Sequence, residues 1–127
     1  MTDTQPRRIL IVDDHNDMRS FIRSMIETEE NNIVEGINGV EAVDLFQSKT
    51  PDLVLMDLEM PVMDGLAATE KILKLNSKAR VIVITQHESD VIHELALSSG
   101  AVAFLPKSEL SQLPSLLAGH PALTSNL

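Results

Sequence analysis

The sequence predicts an α/β domain: a five-stranded parallel sheet in the order 2-1-3-4-5, helices on both faces, and a short last helix. Three observations carry this. Apolar runs of strand length alternate five times with segments of helical periodicity, the pattern of right-handed strand-helix-strand crossovers. The runs Ile9-Leu-Ile-Val12, Leu53-Val-Leu-Met56 and Val81-Ile-Val-Ile84 are continuously apolar, as expected of strands covered on both faces. Each of these ends abruptly in polar residues, namely Asp13-Asp14, Asp57 and Thr85, and the shorter run Ala103-Phe-Leu105 ends in Pro106-Lys107. In open parallel sheets the carboxyl ends of the strands form the crevice where ligands bind.

Taken in order, residues 1 to 7 are a polar lead-in and Arg8 to Asp13 is the first strand. Asn16 or Asp17 can cap a helix whose apolar positions Met18, Phe21, Ile22, Met25 and Ile26 recur at three- and four-residue spacing. A weaker strand covers about Ile33 to Ile37. Asn38-Gly39 then turns the chain into a second helix, with Val40, Val43, Leu45 and Phe46 partly inward, which Thr50-Pro51 ends. The central strand runs into Asp57, and Pro61 with Asp64-Gly65 closes the loop after it. Leu66, Ala67, Ile72, Leu73 and Leu75 mark a third helix, and Arg80 to Ile84 the fourth strand. Ser89-Asp90 caps a fourth helix that is apolar on a narrow stripe, Val91, Ile92, Leu95 and Ala96, and stops at Gly100. The fifth strand is about Val102 to Leu105. Pro114 lacks a backbone donor, so the last helix is expected to begin near Leu113 with the proline in its first turn, after a loose turn following Lys107, and to end at Gly119. Residues 8–119 thus form one domain, and 120–127 read as a tail or the start of a linker.

Composition bounds the function. At 127 residues, with 43% apolar and 23% charged residues, the chain has the balance of one soluble globular domain. Nothing approaches membrane-spanning length and the N-terminus lacks a signal peptide's apolar core, so a cytoplasmic location is expected. The absence of cysteine removes disulfides and thiolate metal sites. A net charge of −9 argues against direct binding of nucleic acid by this domain.

With the flavodoxin-like order the first and third strands are neighbours. Asp13, Asp14 and Asp57 then meet, with Thr85 and Lys107 facing them. Carboxylates this close repel unless they share a positive charge. Oxygen donors without His or Cys suit a hard ion, and Mg²⁺ takes one or two carboxylates plus waters and phosphate oxygens. Mg²⁺, the lysine ammonium and the threonine hydroxyl would together hold a phosphoryl group, which leaves Asp57 as nucleophile.

Asp13-Asp14, Asp57, Thr85 and Lys107, with Phe104 before the lysine and Met60-Pro61 and Met63-Asp64-Gly65 after the central acid, resemble the receiver domain of bacterial two-component response regulators. The match covers about Arg8 to Gly119. The resemblance implies that Asp57 accepts a phosphoryl group from a sensor histidine kinase or phosphotransfer protein. It further implies that Asp14, Asp57 and the backbone carbonyl of Glu59 bind Mg²⁺ directly, while Asp13 holds metal waters. Thr85 and Lys107 read the phosphoryl group, Phe104 reports it by turning inward, and the region of the fourth helix and fifth strand changes conformation to control an output. The segment Phe104-Leu-Pro-Lys107-Ser108 is similar to receivers that precede helix-turn-helix output domains, which implies a DNA-binding domain beyond Leu127 and a phosphorylation-dependent homodimer. Three features depart from the family. Proline precedes Lys107 instead of following it, so no cis peptide is expected at 107-108. Gln86 follows Thr85 where the family keeps a small residue; it and Glu59 flank the pocket as modulators. The last helix is short and contains Pro114, at the family's dimer surface.

Two other classes fit parts of the pattern. A haloacid-dehalogenase-like phosphatase carries a second acid two residues after its nucleophile, as Glu59 follows Asp57, but its nucleophile sits after the first strand. A phosphorylation-independent interaction module has no need of an intact acid set. The expected role is therefore a switch that assists its own phosphorylation and dephosphorylation, not an enzyme acting on other substrates. His15 could serve as a ligand, but beside acids at a helix start it reads as exposed, and His87, His93 and His120 read as surface residues without ligand spacing.

Overall fold

The computed structural model describes residues 8–60, 62–86 and 89–118. The lead-in, Pro61, His87, Gly119, His120 and the tail lie outside the described residues. Five strands, β1 (Arg8–Val12), β2 (Asn32–Gly36), β3 (Leu53–Asp57), β4 (Val81–Thr85) and β5 (Ala103–Pro106), form one sheet in the order β2-β1-β3-β4-β5. Every pairing is parallel, and Asp57 pairs in register with Ile84, one residue before Thr85.

The two-residue period of a strand sends successive side chains to opposite faces, and both faces are apolar. Ile9, Ile11, Leu53, Leu55, Ile82 and Ile84 pack with Ile22 and Ile26 of α1 (Asn16–Ile26) and Leu113 and Leu117 of α5 (Leu113–Leu117). Leu10, Val12, Val54, Met56, Val81 and Val83 face the other way. There they pack with Ala42 and Phe46 of α2 (Gly39–Lys49), Ala68 and Ile72 of α3 (Gly65–Leu75), and Ala96 of α4 (Asp90–Ser98). Continuous apolar strands are therefore the sequence signature of two helical layers, α1 and α5 on one side and α2, α3 and α4 on the other.

Side-chain caps form at three helices, of which the one at Ser89 was expected: Asn38 accepts from Glu41 N, Asp64 from Ala67 N and Ser89 from Ile92 N. They fail at the first. His15, not Asn16 or Asp17, is the N-cap of α1 and makes no side-chain cap bond, while Asn16 Oδ1 accepts instead from Arg19 Nη2 at 3.0 Å. Phe21 and Val40, placed inward by periodicity, are 53% and 41% exposed. Their neighbours Ile22 and Ala42 fill the sheet-facing positions, so the buried stripe is narrower than the apolar one. The second strand lies one residue earlier than expected and Thr85 belongs to β4 itself. A 3-10 helix, Lys107–Gln112, replaces the loose turn, and Pro114 sits in the first turn of α5, where no donor is required.

Candidate functional site

The carboxyl edge of the sheet gathers the polar residues. Asp13 leaves β1 with its N–H donating to Gly36 O of β2 at 3.2 Å, and Asp57 is the last residue of β3, followed by Leu58, whose N–H donates to Ile84 O at 3.1 Å. The loop beyond folds back tightly: Gly65 N–H donates to Leu58 O at 2.9 Å, and a Cβ on Gly65 would stand 2.1 Å from Asp57 O. No other residue type fits there without moving the strand end that carries Asp57.

Asp13, Asp57 and Thr85 are almost completely buried. Lys107 reaches in from the end of β5, its Nζ 3.2 Å from Asp57 Oδ1 and 3.3 Å from Asp13 Oδ2, and the Lys107–Ser108 peptide is trans. Burial, and then the negative charge of Asp13, push the Asp57 carboxyl up to about 6; Lys107 opposes them, and Asp14 adds a smaller push upward. Burial disfavours the charged Lys107, yet the attraction of Asp57 and Asp13 outweighs it and holds the ammonium above its ordinary range.

The acids are under-partnered for their burial. Asp13 Oδ2 and Asp14 Oδ1 are inaccessible and make no hydrogen bond, with only ion-pair contacts to Lys107 and to His15 Nδ1. Buried carboxylate oxygens in that state call for a cation. Asp13, Asp14 and His15 each bring a ligand atom within 4.8 Å of the others. The donor set, carboxylate-rich with one imidazole, fits a divalent ion. Asp57 stands beside this group, joined to it through Lys107 and Asp13. Exposed Gln86 lines a cleft of about 550 Å³ together with Asp14, His15, Asn16, Asp17, Met18 and Lys107, and Glu59 is exposed on the loop after Asp57.

Three side chains outside the sequence-derived set support the site. Arg19 of α1 donates from Nη1 to Asp13 O at 2.8 Å and from Nε to Glu35 Oε1 at 2.8 Å, while Arg23 Nη1 donates to Glu35 Oε2 at 2.7 Å. Burial works to raise the Glu35 carboxyl, but the two guanidiniums prevail and lower it. The signal available in the sequence was Glu35 itself, a charge inside a short strand, which requires a partner. His93 of α4 stacks on half-buried Phe104, with ring centroids 4.6 Å apart and planes 9° apart. Spacing alone offers no hint of that pair.

A parallel sheet with acids and a lysine meeting at its carboxyl edge defines a receiver-type signalling domain. The chain belongs to the response regulator receiver domain family, whose sequence profile matches residues 9–118. It is 35% identical over 111 residues to the chemotaxis protein CheY of Halobacterium salinarum, covering 87% of this chain and 91% of that protein. It is 33% identical to the nitrate/nitrite response regulator protein NarL of Escherichia coli strain K12, where the whole chain spans 62% of the relative's length. A solved CheX-CheY-BeF3-Mg²⁺ complex from Borrelia burgdorferi contains a chain with a TM-score of 0.78 and 28% identity, covering 88% of this chain and 90% of that one.

Proposed function

We propose that residues 8–119 form a phosphorylation-activated switch of a two-component system, with 1–7 as lead-in and 120–127 as tail or linker. Asp57 is the phosphoacceptor. One of its carboxylate oxygens bonds to phosphorus as the phosphorus–nitrogen bond of a phosphohistidine breaks, and the departing imidazole keeps the electron pair and takes up a proton. The donor is a sensor histidine kinase or a phosphotransfer protein. The observation that carries this reading is the Lys107 ammonium held between Asp57 and Asp13, within 3.3 Å of each, at the buried edge of the sheet.

With its carboxyl at about 6, Asp57 is roughly nine-tenths ionised at pH 7 and so available as a nucleophile. Lys107 is already placed to pair with an oxygen of the incoming group, and the Thr85 hydroxyl, at the neighbouring strand end, donates to another. Asp14, Asp57 and the backbone carbonyl of Glu59 would hold Mg²⁺, with Asp13 binding its waters; the ion, when bound, neutralises charge on the phosphoryl oxygens. Thr85 and Phe104 relay occupancy to α4 and β5, while Gln86 and Glu59 flank the opening. No helix among the described residues is long and apolar enough to cross a membrane, in keeping with a cytoplasmic switch. The position of Asp57 after β3 supports this reading over a phosphatase of the haloacid-dehalogenase type. NarL's greater length supports a DNA-binding output domain beyond Leu127, and the resemblance supports a homodimer of this domain that forms on phosphorylation.

Incubation with Mg²⁺ and a small acyl-phosphate donor tests the assignment. Wild type is expected to take up hydroxylamine-labile phosphate, and Asp57→Ala and Asp57→Asn none. Undiminished labelling in both variants would overturn it.

A further inference from the structure

We infer that Val62, with Val40 and Ile37 beside it, forms the rim on which the phosphohistidine-bearing protein docks, and that Val62 sets the affinity for that donor without entering the chemistry. The inference rests on the reading of Asp57 as phosphoacceptor and adds to it the surface that a protein donor covers.

Val62 stands in the loop between Asp57 and α3 with φ at 72°, in the left-handed region. A β-branched side chain crowds the backbone there, whereas glycine or asparagine adopts that conformation at far lower cost. The turn is imposed from both sides. Met63 O accepts from Gly39 N, at the start of α2, at 3.2 Å, and a Cβ on Gly39 would stand 2.4 Å from that oxygen. Asp64 caps α3, and Gly65 N–H donates to Leu58 O. Met60 and Met63 pack against the core, yet Val62 between them is 79% exposed. The chain thus holds an apolar side chain in water on a backbone that disfavours it, and neither feature serves the fold. Strain that the surroundings impose beside a reactive group points to a use at that group.

The neighbouring side chains show which use. Val40 follows Gly39 and is 41% exposed; Ile37, 45% exposed, follows Gly36, whose carbonyl accepts the N–H of Asp13. The three apolar side chains therefore border the carboxyl edge beside the strands that carry Asp13 and Asp57. The acids among them are occupied by backbone: Glu41 Oε1 accepts from Ile37 N at 2.9 Å and Asp64 Oδ1 from Ala67 N at 2.8 Å. Exposed apolar side chains grouped in this way mark a contact with another protein. Asp57 is 4% exposed, so a phosphohistidine on a protein reaches it only when the surface around that histidine is pressed onto the loops of this edge. The partner is thus a protein with apolar side chains next to its phosphohistidine. A small phosphodonor makes no such contact, since neither Val62 nor Val40 nor Ile37 lines the cleft between Asp14 and Lys107.

The test compares two donors on the whole chain: acetyl phosphate, and an autophosphorylated sensor kinase that labels wild type. Val62→Asn suits the left-handed backbone and removes the apolar side chain. It is expected to raise Tm by about 3–5 °C, to leave the rate with acetyl phosphate unchanged, and to raise KM for the protein donor at least about fivefold with kcat little altered, as loss of uniform binding requires. Val40→Ala is expected to raise the same KM without raising Tm, and Val62→Ile to keep the wild-type KM. An unchanged KM in both Val62→Asn and Val40→Ala, a rise that Val62→Ile shares, or equal slowing of Val62→Asn with both donors would overturn the docking rim. A lower Tm in Val62→Asn would overturn the strain on which it rests. Labelling of wild type by acetyl phosphate but by no phosphohistidine protein would overturn the rim and the protein donor together, whereas labelling by neither would overturn Asp57 as phosphoacceptor.

Discussion

Replacing Asp57 with asparagine is expected to stabilise the metal-free domain. The carboxyl titrates at about 6 in the fold against 3.8 for the ordinary side chain. A proton is therefore bound more tightly by the folded than by the unfolded chain. The stability this gives is fully present below 3.8 and is lost as pH rises through 6, so at neutral pH ionised Asp57 is a burden. The gap corresponds to about 3 kcal/mol, and Asp57, 4% exposed, is buried enough that solvent screens little of it. Asparagine keeps the shape and removes the charge. Lys107 loses one partner but retains Asp13 at 3.3 Å, which makes about 3 kcal/mol a ceiling. For a chain of 127 residues that is a rise in Tm of about 10 °C. Linkage sets the pH dependence: about 3 kcal/mol at pH 7.5, roughly half of that at pH 5, and little at pH 4. The chain has neither tryptophan nor tyrosine, so thermal melts in chelator would be followed by far-ultraviolet circular dichroism. A variant that melts below wild type at pH 7.5, or whose gain is the same at pH 7.5 and pH 5, would refute the electrostatic account. Saturating Mg²⁺ should narrow the gap, since it stabilises wild type through a carboxylate that the variant lacks.

Arg19→Ala removes the donor to Asp13 O and one of the two guanidiniums on Glu35, so a loss of about 1.5–3 kcal/mol is expected in thermal melts together with weaker Mg²⁺ binding; an unchanged Mg²⁺ affinity would make the residue a plain strut. Gln86→Ala is expected to speed both phosphorylation by a small donor and spontaneous dephosphorylation several-fold, about 1 kcal/mol of barrier, because a long side chain no longer covers the cleft. Radiolabel decay would decide this, and a longer-lived phosphoprotein would mean that the amide orients the attacking water instead. Beryllofluoride with Mg²⁺ is expected to change hydrogen exchange in α4 more than in α1 or α3, and Phe104→Ala to abolish that difference; an unaltered α4 would leave the relay without support.

The fold was legible because burial on both faces leaves no alternation in the strands: Ile9 to Val12, Leu53 to Met56 and Val81 to Ile84 are apolar throughout, and helix periodicity fills the gaps. Asp13, Asp57, Thr85 and Lys107 were legible for a related reason, since each stands where a hydrophobic run stops and only strand order is needed to bring them together. Contacts made across the fold by flexible side chains were not. Nothing in the spacing of Arg19 and Glu35 tells that α1 and β2 approach closely enough for a two-pronged ion pair. His15 was read correctly as exposed but not as facing the acids, because an N-cap rule assumes that the cap side chain serves its own helix. The same assumption misplaced the cap at Asn16 or Asp17. Phe21 and Val40 failed for a simpler reason: a helix lying on a sheet buries less than its apolar stripe offers.

The helix named in the relay is also the one held most lightly. Ala96 is the one buried residue of α4, whereas α3 buries Gly65, Ala68, Thr69 and Ile72. Val91, Leu95 and Leu97 are 67%, 46% and 46% exposed, so this helix places much of its apolar surface in water and gains little by staying where it is. Elements with few buried apolar contacts are those that open and shift at low cost. Beyond Ala96 and half-buried Ile92, which pack on the core, what ties α4 to the sheet lies near the site. Its cap, Ser89, lies four residues beyond Thr85, and His93 rests on Phe104, which is three residues before Lys107. In the proposed switch, a group bound at Asp57 and contacted by Thr85 and Lys107 would pull on both strands that anchor α4. One charge-assisted hydrogen bond, about 1.5–3 kcal/mol, is enough to outweigh a single aromatic stack of about 0.5–1.5 kcal/mol. In that proposed switch, the exposed apolar residues on α4 would give a repositioned helix something to offer a partner.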